Sequence, residues 1–148
     1  MVESLLVLFN RDLLGLKSDL SEFDNEDDIW KTQGDIANSS GHLTLHICGN
    51  LKHFIGSILG NSGYVRNRKL EFYSNPILLS ELNKLVDETQ LEVESTLKDL
   101  SLTDLDKTYP LEVFGKPMTT EYFLIHLHGH LTYHLGQINY LRRSMKEK

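Results

Sequence analysis

The sequence predicts an all-α protein, a four-helix bundle with a short extended or hairpin excursion before its last helix. Four long stretches carry apolar residues at steps of three and four, the period of a helix with one buried face. Polar segments that contain Gly, Asn or acidic residues separate these stretches, and no internal repeat is visible. A chain of 148 residues can bury a core without disulfides, so residues 1–148 are expected to form one domain.

The first helix is predicted over about residues 2 to 22. Its apolar positions repeat with helical spacing at Val2, Leu5, Leu6, Phe9, Leu13, Leu16, Leu20 and Phe23. The acidic cluster of residues 24–28 and Gly34 then break the period. The segment as far as Ala37 is therefore predicted to be a loop, with Trp30 as its anchor.

The second helix is predicted to continue as far as Gly60. Asn38, Ser39 or Ser40 can cap its start, because each side chain can accept a hydrogen bond from a free amide of the first turn. Its apolar positions are Leu43, Ile47, Leu51, Phe54, Ile58 and Leu59. Gly60 and the Asn and Gly residues just after it end the helix.

The third helix follows a polar crossover. Ser74 or Asn75 is expected to cap it, with Pro76 in the first turn, and the apolar pattern continues to about residue 100. Its apolar positions are Leu78, Leu82, Leu85, Val93, Leu97 and Leu100.

The excursion is predicted between Tyr109 and Met118, where apolar and polar residues alternate around a Gly turn. Thr119 or Thr120 then caps the fourth helix. Its basic end suits the negative pole of the helix dipole and contains Arg142, Arg143 and Lys146.

Charge and composition exclude several classes of function. The net charge is -6, so the chain has no basic surface for binding nucleic acid. No apolar run approaches the roughly 18 residues that indicate a membrane span. Cys48 is the single cysteine, and the first residues lack the basic stretch of a secretory signal. We therefore expect a cytoplasmic protein without membrane or nucleic-acid partners.

Histidines provide the chemistry. On the fourth helix each step from His126 to His130 and from His130 to His134 turns by roughly 40° at 100° per residue, and Gln137 joins this stripe. Apolar residues flank the stripe, so it is expected to face the bundle interior or a cleft. His128 falls on nearly the opposite side and is expected to face solvent.

Imidazoles on an apolar face must be hydrogen-bonded or ligated, because burying an unsatisfied polar group costs about 1–3 kcal/mol. His130 and His134 are four residues apart and can present their ring nitrogens to one ion, as in zinc enzymes. The glutamate of a metalloprotease His-Glu-x-x-His motif is absent, which excludes that peptidase class. A diiron carboxylate bundle is excluded too, since it needs Glu-x-x-His pairs.

The second helix offers a further ligand. Its polar residues form one stripe, which contains His42, His46, Asn50, His53 and Ser57. Three neutral imidazoles would leave one to three coordination positions open for water or substrate, as in a catalytic site. The alternative is a set of cleft histidines that are hydrogen-bonded to carbonyls. Spacing alone leaves both interpretations open.

Residues 130–138, His-Leu-Thr-Tyr-His-Leu-Gly-Gln-Ile, resemble the last-helix signature His-x-x-x-His-x-Gly-Gln-Ile of DinB-like metal-binding four-helix proteins. Upstream, residues 46–51 resemble the segment that carries the first histidine of this superfamily, and residues 114–117 lie where some members have a short turn. Helix number, helix order and motif positions agree over nearly the whole chain.

This resemblance implies that His46, His130 and His134 bind one divalent ion, with zinc, nickel or iron(II) as candidates. His126, Gln137 and Asn50 are candidates for a supporting role around the ligands, although for His126 a hydrogen-bonded core histidine is the favoured interpretation. His42 would replace His46 if the second helix were placed one turn out of register. Cys48 is expected to serve in packing.

Better-understood DinB-like proteins are metal-dependent thiol transferases and a thiol-dependent isomerase, which use bacillithiol, mycothiol or glutathione. The resemblance therefore implies a metal-dependent enzyme with a small-molecule substrate and a small thiol as cosubstrate. Two features depart from that pattern: no basic pair for binding a thiol is visible, and Phe114 and Lys116 stand where related sequences often show a basic and an acidic residue.

Two rival functions remain. One is a metal-dependent hydrolase. The other is a non-catalytic, metal-stabilised stress or interaction protein that forms a homodimer through the apolar surface of its fourth helix, where Leu124, Leu131 and Leu135 lie beside the histidine stripe.

Overall fold

A computed structural model describes residues 1–146, and within this range the regular structure is helical. The α-helices are α1 (Val2–Ser21), α2 (Ser40–Leu51), α3 (Arg68–Tyr73), α4 (Leu79–Asp99), α5 (Leu102–Asp106) and α6 (Thr120–Met145). The all-α prediction is confirmed. Four of these helices, α1, α2, α4 and α6, correspond to the four predicted from periodicity.

The four long helices form the bundle. Helix α1 packs against α4 and α6, and α2 packs against the same two helices. The apolar stripe predicted for α1 is buried at the centre, where Phe9, Leu13 and Leu16 are fully excluded from solvent. Burying each such side chain contributes about 1.5–3 kcal/mol, so this stripe determines which face of α1 turns inward. Cys48 is also buried in this core, as its predicted packing role requires.

Helix α2 continues into a wider π-helical turn over Lys52–Ser57. The amide of Ile58 donates to the carbonyl of His53, whereas the next amide, that of Leu59, donates to Ile55. These two backbone hydrogen bonds skip the carbonyl of Phe54, which lies between their acceptors. The hydroxyl of Tyr109 donates to this carbonyl at 2.7 Å and satisfies it.

Helix caps follow the sequence at two of the three predicted starts. Ser39 caps α2 by accepting from the amide of His42, and Thr119 caps α6 by accepting from the amide of Tyr122. The predicted start of the remaining helix, the third of the four, was wrong. Helix α4 begins at Leu79, not near Pro76, because the residue before a proline is held in an extended conformation and Ser74 instead ends α3.

Three short elements were not predicted. They are α3 in the polar crossover, α5 before the excursion, and a 3₁₀ turn over Glu26–Trp30 inside the predicted loop. Each is too short to show a helical period. In the excursion, a single antiparallel bridge joins Thr108 to Thr119, with the amide of Tyr109 donating to Met118 at 2.8 Å.

Among the described residues, no helix combines the length and apolar character needed to traverse a lipid bilayer.

Candidate metal centre

Helices α2 and α6 bring three histidines together. His46 Nε2 lies 3.2 Å from His130 Nε2, which lies 3.1 Å from His134 Nε2. One ring nitrogen from each histidine falls within 4.8 Å of the other two. His46 is buried and the other two are half-buried. Nitrogen ligands at about 2.0–2.1 Å from one zinc ion stand at such separations, so this histidine triad could hold a metal ion.

Glu71 orients His46 from the other side of its ring. Its Oε2 lies 2.8 Å from His46 Nδ1, and both side chains are about 6% exposed. Beside a carboxylate, Nδ1 carries the proton, which leaves the lone pair on Nε2 directed at the other histidines. Arg66 neutralises the buried carboxylate through two bonds, at 2.7 Å from Nε and 2.9 Å from Nη2.

Gly49 makes room for this carboxylate on the surface of α2. A Cβ atom at Gly49 would overlap the carboxyl group of Glu71. Glu71 itself is presented by α3, the short helix in the crossover. Its pKa is lowered, since the bonds from His46 and Arg66 outweigh burial, which acts to raise it. The group that orients His46 is thus an ionised acceptor.

Gln137 orients the ring of His134. Its Nδ1 lies 2.7 Å from Oε1 of Gln137, and the amide nitrogen of Gln137 donates to the hydroxyl of Tyr133 at 3.2 Å. The amide oxygen accepts the Nδ1 proton, so Nε2 of His134 also offers a lone pair to the triad. Two of the three rings therefore have their tautomer set by a neighbour.

Two of the three rings, those of His130 and His134, favour the neutral form. Burial, with smaller contributions from His134 and His46, lowers the pKa of His130 to about 4. Burial likewise lowers the pKa of His134, against a small opposing effect of Gln137. Neutral imidazole is the form that ligates metals, so a cation would not compete with protons at these two rings near neutral pH.

The remaining polar residues of the two stripes are placed differently. His126 is exposed, and its ring centre lies 6.4 Å from that of His130, packed against Phe114. Asn50 is buried with its Oδ1 atom lacking a hydrogen-bond partner among the described residues. His42 is engaged away from the triad, with Nδ1 2.9 Å from the Ser39 hydroxyl and Nε2 3.1 Å from the carbonyl of Ser74.

The prediction that His128 faces solvent was wrong. Its Nε2 lies 2.9 Å from Oδ2 of Asp12 on α1, and its side chain is 17% exposed. His128 does point away from the triad, as its helical phase requires, but that side of α6 packs against α1. A single helix pattern gives direction only, and the neighbour in that direction is a buried carboxylate that needs donors.

The sequence interpretation missed Glu71 and Arg66, which lie in a segment treated as a polar crossover. One signal was available. Glu71 is the only acidic residue between Asn61 and Asn75, a stretch that also contains Arg66, Arg68 and Lys69. A lone carboxylate in a basic segment is a candidate for a specific ion pair, although its contact with His46 bridges 25 positions of sequence and has no local periodicity.

The structure removes one argument for a homodimer, the apolar surface predicted on the fourth helix. Leu124 and Leu131 are buried inside the chain, and Leu135 packs against the same core. These leucines therefore do not form an outer surface. The homodimer stays a prediction that these contacts do not test.

Comparisons with known proteins agree with this architecture. A family described as "Protein of unknown function (DUF1572)" matches residues 17–148. The crystal structure of a DinB-like protein, YjoA from Bacillus subtilis, is similar with a TM-score of 0.74 at 18% identity, over 98% of this chain and 93% of that one. No curated protein matches the chain significantly. The DinB-like resemblance is thus confirmed at the level of the fold, and the chain belongs to the DUF1572 family.

Proposed function

We propose that this protein is a divalent-metal-dependent enzyme whose ion is bound by His46, His130 and His134. One observation carries the proposal: three Nε2 atoms converge within 4.8 Å. In two of the rings the opposite nitrogen is already occupied, by Glu71 and by Gln137. Neutral Nε2 lone pairs at 3.1–3.2 Å from each other repel unless a proton or a cation lies among them.

The ligand chemistry narrows the ion. Imidazole suits zinc, nickel and iron(II), and no thiolate or carboxylate atom belongs to the triad. With three protein ligands, positions remain for an exogenous group. An ion bound there would lower the pKa of a coordinated thiol or water and so supply a nucleophile near neutral pH.

The chain's own residues would position that chemistry. Glu71 keeps the His46 ring in one tautomer, and Arg66 keeps Glu71 ionised. Gln137 does the same for His134 with an uncharged amide. Of the two side chains behind the ligands, Glu71 is anionic and Gln137 is neutral. The three-histidine site would therefore have a net positive charge once a divalent ion is bound. A positive centre favours an anionic nucleophile, either a thiolate or hydroxide.

Transfer of a small thiol to a carbon electrophile is the first candidate reaction, as implied by the resemblance to DinB-like transferases. Hydrolysis is the second. The alternative to an enzyme is a protein whose ion is purely structural. The coordination number argues against this alternative, since closed structural zinc sites have four protein ligands. In the described chain the triad supplies three.

The first experiment concerns the ion. Natively purified protein is analysed for metals, and metal-free protein is titrated with Co²⁺ while its visible spectrum is recorded. His134→Ala should abolish stoichiometric binding and keep the helical circular dichroism. His126→Ala is the matched control, since it removes an exposed histidine from the same face of α6, and it should bind the ion as the wild type does. Full metal retention in His134→Ala would refute the ligand assignment.

The second experiment concerns the reaction. A panel of thiols is added to the Co²⁺ form, where coordination of a thiolate changes the charge-transfer absorption. A response with at least one thiol supports the transferase. If every thiol is silent while ester or amide substrates turn over, the hydrolase replaces it. If neither occurs and the bound ion has no exchangeable water, the structural role is correct.

A further inference from the structure

A cavity of about 710 Å³ opens beside the histidine triad. It lies between the segment before α2 and the C-terminal half of α6, and His134 forms part of its wall. This volume is within the range of small-molecule sites in proteins, roughly 300–1,000 Å³. Its position next to one triad histidine makes it the natural approach for a substrate.

The lining is apolar and uncharged. Ile36, Ala37, Leu43 and Leu141 supply aliphatic surface, and the rings of Tyr133 and Tyr140 stand at its side. None of the described residues that line it is Asp, Glu, Lys or Arg. The polar groups are amides, hydroxyls and the imidazole of His134, which fix orientation through hydrogen bonds without attracting a charge.

In the metal-free chain, charge balance disfavours an anionic molecule in this cavity. The chain carries a net charge of -6, so its long-range field repels anions. Arg66 lies beside His46, and its Nε and Nη2 atoms already bind Glu71, so its charge is balanced within the chain. A carboxylate-bearing molecule in the cavity would lose its hydration without gaining a counter-charge from the lining.

We propose that this cavity binds an uncharged small molecule with an aromatic or branched apolar body, and that this molecule is the substrate presented to the triad. The assignment of this molecule as a substrate rests on the proposed metal-dependent function. It differs from that function in naming the substrate class, and it excludes polyanionic thiols as occupants of this cavity.

Gln137 connects the cavity with the triad. Its side chain lines the cavity while its Oε1 accepts from Nδ1 of His134. An occupant that contacts this amide therefore touches the group that orients a proposed ligand. The neighbouring Tyr133 hydroxyl, which accepts from the same amide, is the second polar contact available to it.

Two glycines allow a matched test. Gly136 lines the cavity and Gly129 does not, yet both lie on α6, seven residues apart and hence on the same face. A Cβ at either position meets open space. Replacing Gly with a larger residue inside a helix is favourable for helix formation, so Gly136→Phe and Gly129→Phe should both fold.

The experiment is a fluorescence titration of metal-free protein with Prodan, an uncharged naphthalene dye. The wild type and Gly129→Phe should bind it with equal affinity and a blue-shifted emission. Gly136→Phe should weaken binding by at least about tenfold, because its ring occupies the space. Naphthalenemethanol should displace the dye, and naphthalenesulfonate should need a concentration at least about tenfold higher, since its charge would be buried unpaired.

Several results would overturn the inference. These are no binding by the wild type, equal binding by Gly136→Phe, or equal displacement by the alcohol and the sulfonate. A dimer that dissociates only in Gly136→Phe, together with no dye binding, would assign the cavity to a second copy of the chain. Because the titration uses metal-free protein, its failure is distinct from failure of Co²⁺ to bind, which would instead remove the proposed metal-dependent function.

Discussion

His46 and Glu71 are joined by a hydrogen bond of 2.8 Å between Nδ1 and Oε2, across 25 positions of sequence. The bond links α2, which carries one histidine of the triad, to α3, a helix of six residues. Glu71 thereby acts on the triad through His46, and its contribution can be measured without removing any of the three histidines.

Glu71→Gln should weaken Co²⁺ or Zn²⁺ binding by roughly 10- to 100-fold, because loss of a carboxylate behind a ligating histidine lowers its basicity and loosens its orientation. Competition with a chromophoric chelator measures the affinity. Glu88→Gln is the control, as it removes the same charge from an α4 position that is about half exposed. An unchanged affinity in Glu71→Gln would show that the carboxylate has no part in metal binding.

His128→Ala should destabilise the fold and leave metal affinity unchanged. The imidazole bonds Oδ2 of the buried Asp12, which would keep the bond from Thr132, so the loss of one hydrogen bond should cost about 0.5–1.5 kcal/mol. Urea unfolding gives the change in free energy, and the Co²⁺ titration gives the affinity. His126→Ala provides the comparison, since this exposed histidine has no such bond and should unfold like the wild type. Loss of metal affinity in His128→Ala would mean that α6 is rotated relative to the structure.

The stabilising effect of Asp12 should depend on pH in the acid range. Burial alone would raise the pKa of the Asp12 carboxyl group. The hydrogen bonds from Arg11 and Thr132 lower it by more than burial raises it, so the pKa in the folded state is below the usual 3.8. The folded state then binds fewer protons than the unfolded state, so the contribution is complete above 3.8 and disappears as pH falls through the folded pKa. The difference in unfolding free energy between wild type and Asp12→Asn should therefore shrink on acidification. A difference that is constant across this range would contradict the assigned shift.

Arg142→Leu should destabilise the protein on the order of 3 kcal/mol, since removing one partner strands a buried charge. The guanidinium is 7% exposed and bonds Asp19 at 2.9 Å, which ties the end of α6 to α1. The neighbouring Arg143→Leu removes the same charge from an exposed site and should change the free energy of unfolding little. Equal effects of the two substitutions in a urea titration would argue against the ion pair.

Tyr109→Phe should cost about 1–3 kcal/mol, because it removes the hydroxyl that satisfies the buried carbonyl of Phe54. Thermal or urea unfolding measures the loss. Tyr140→Phe is the matched control, since this exposed tyrosine has no such bond and should behave as the wild type. If Tyr109→Phe were neutral, the backbone would have restored an ordinary α-helical ladder around Phe54.

The 3.6-residue period was sufficient for the long helices and for the shared face of His130 and His134, whereas the choice of His46 as the third histidine came from the resemblance to DinB-like proteins. His130 and His134 share a face by spacing, and the polar stripe of α2 had to meet some polar neighbour in the bundle. It was insufficient for Glu71 and for the surroundings of His128. Both are decided by contacts between elements distant in sequence, and one of those elements is too short to be visible as a pattern.

The start of α4 teaches a different lesson. Ser74, Asn75 and Pro76 offered a plausible cap and first turn, yet two competing constraints act there. Ser74 is taken up by the end of α3, and the glutamate at position 81 accepts the amide of Leu78. When two helices lie this close in sequence, the same polar residue can end one or begin the next, and local preference does not choose between them.

The π-helical turn over Lys52–Ser57 is the last turn of the segment that α2 begins, and only a short turn over residues 58–60 follows it. The extra residue that a π turn accommodates therefore changes where Ile58 and Leu59 enter the bundle, whereas His46 lies before the π turn and keeps its position. Loss or gain of one residue in Lys52–Ser57 would thus alter packing at that end of the bundle without moving the proposed site.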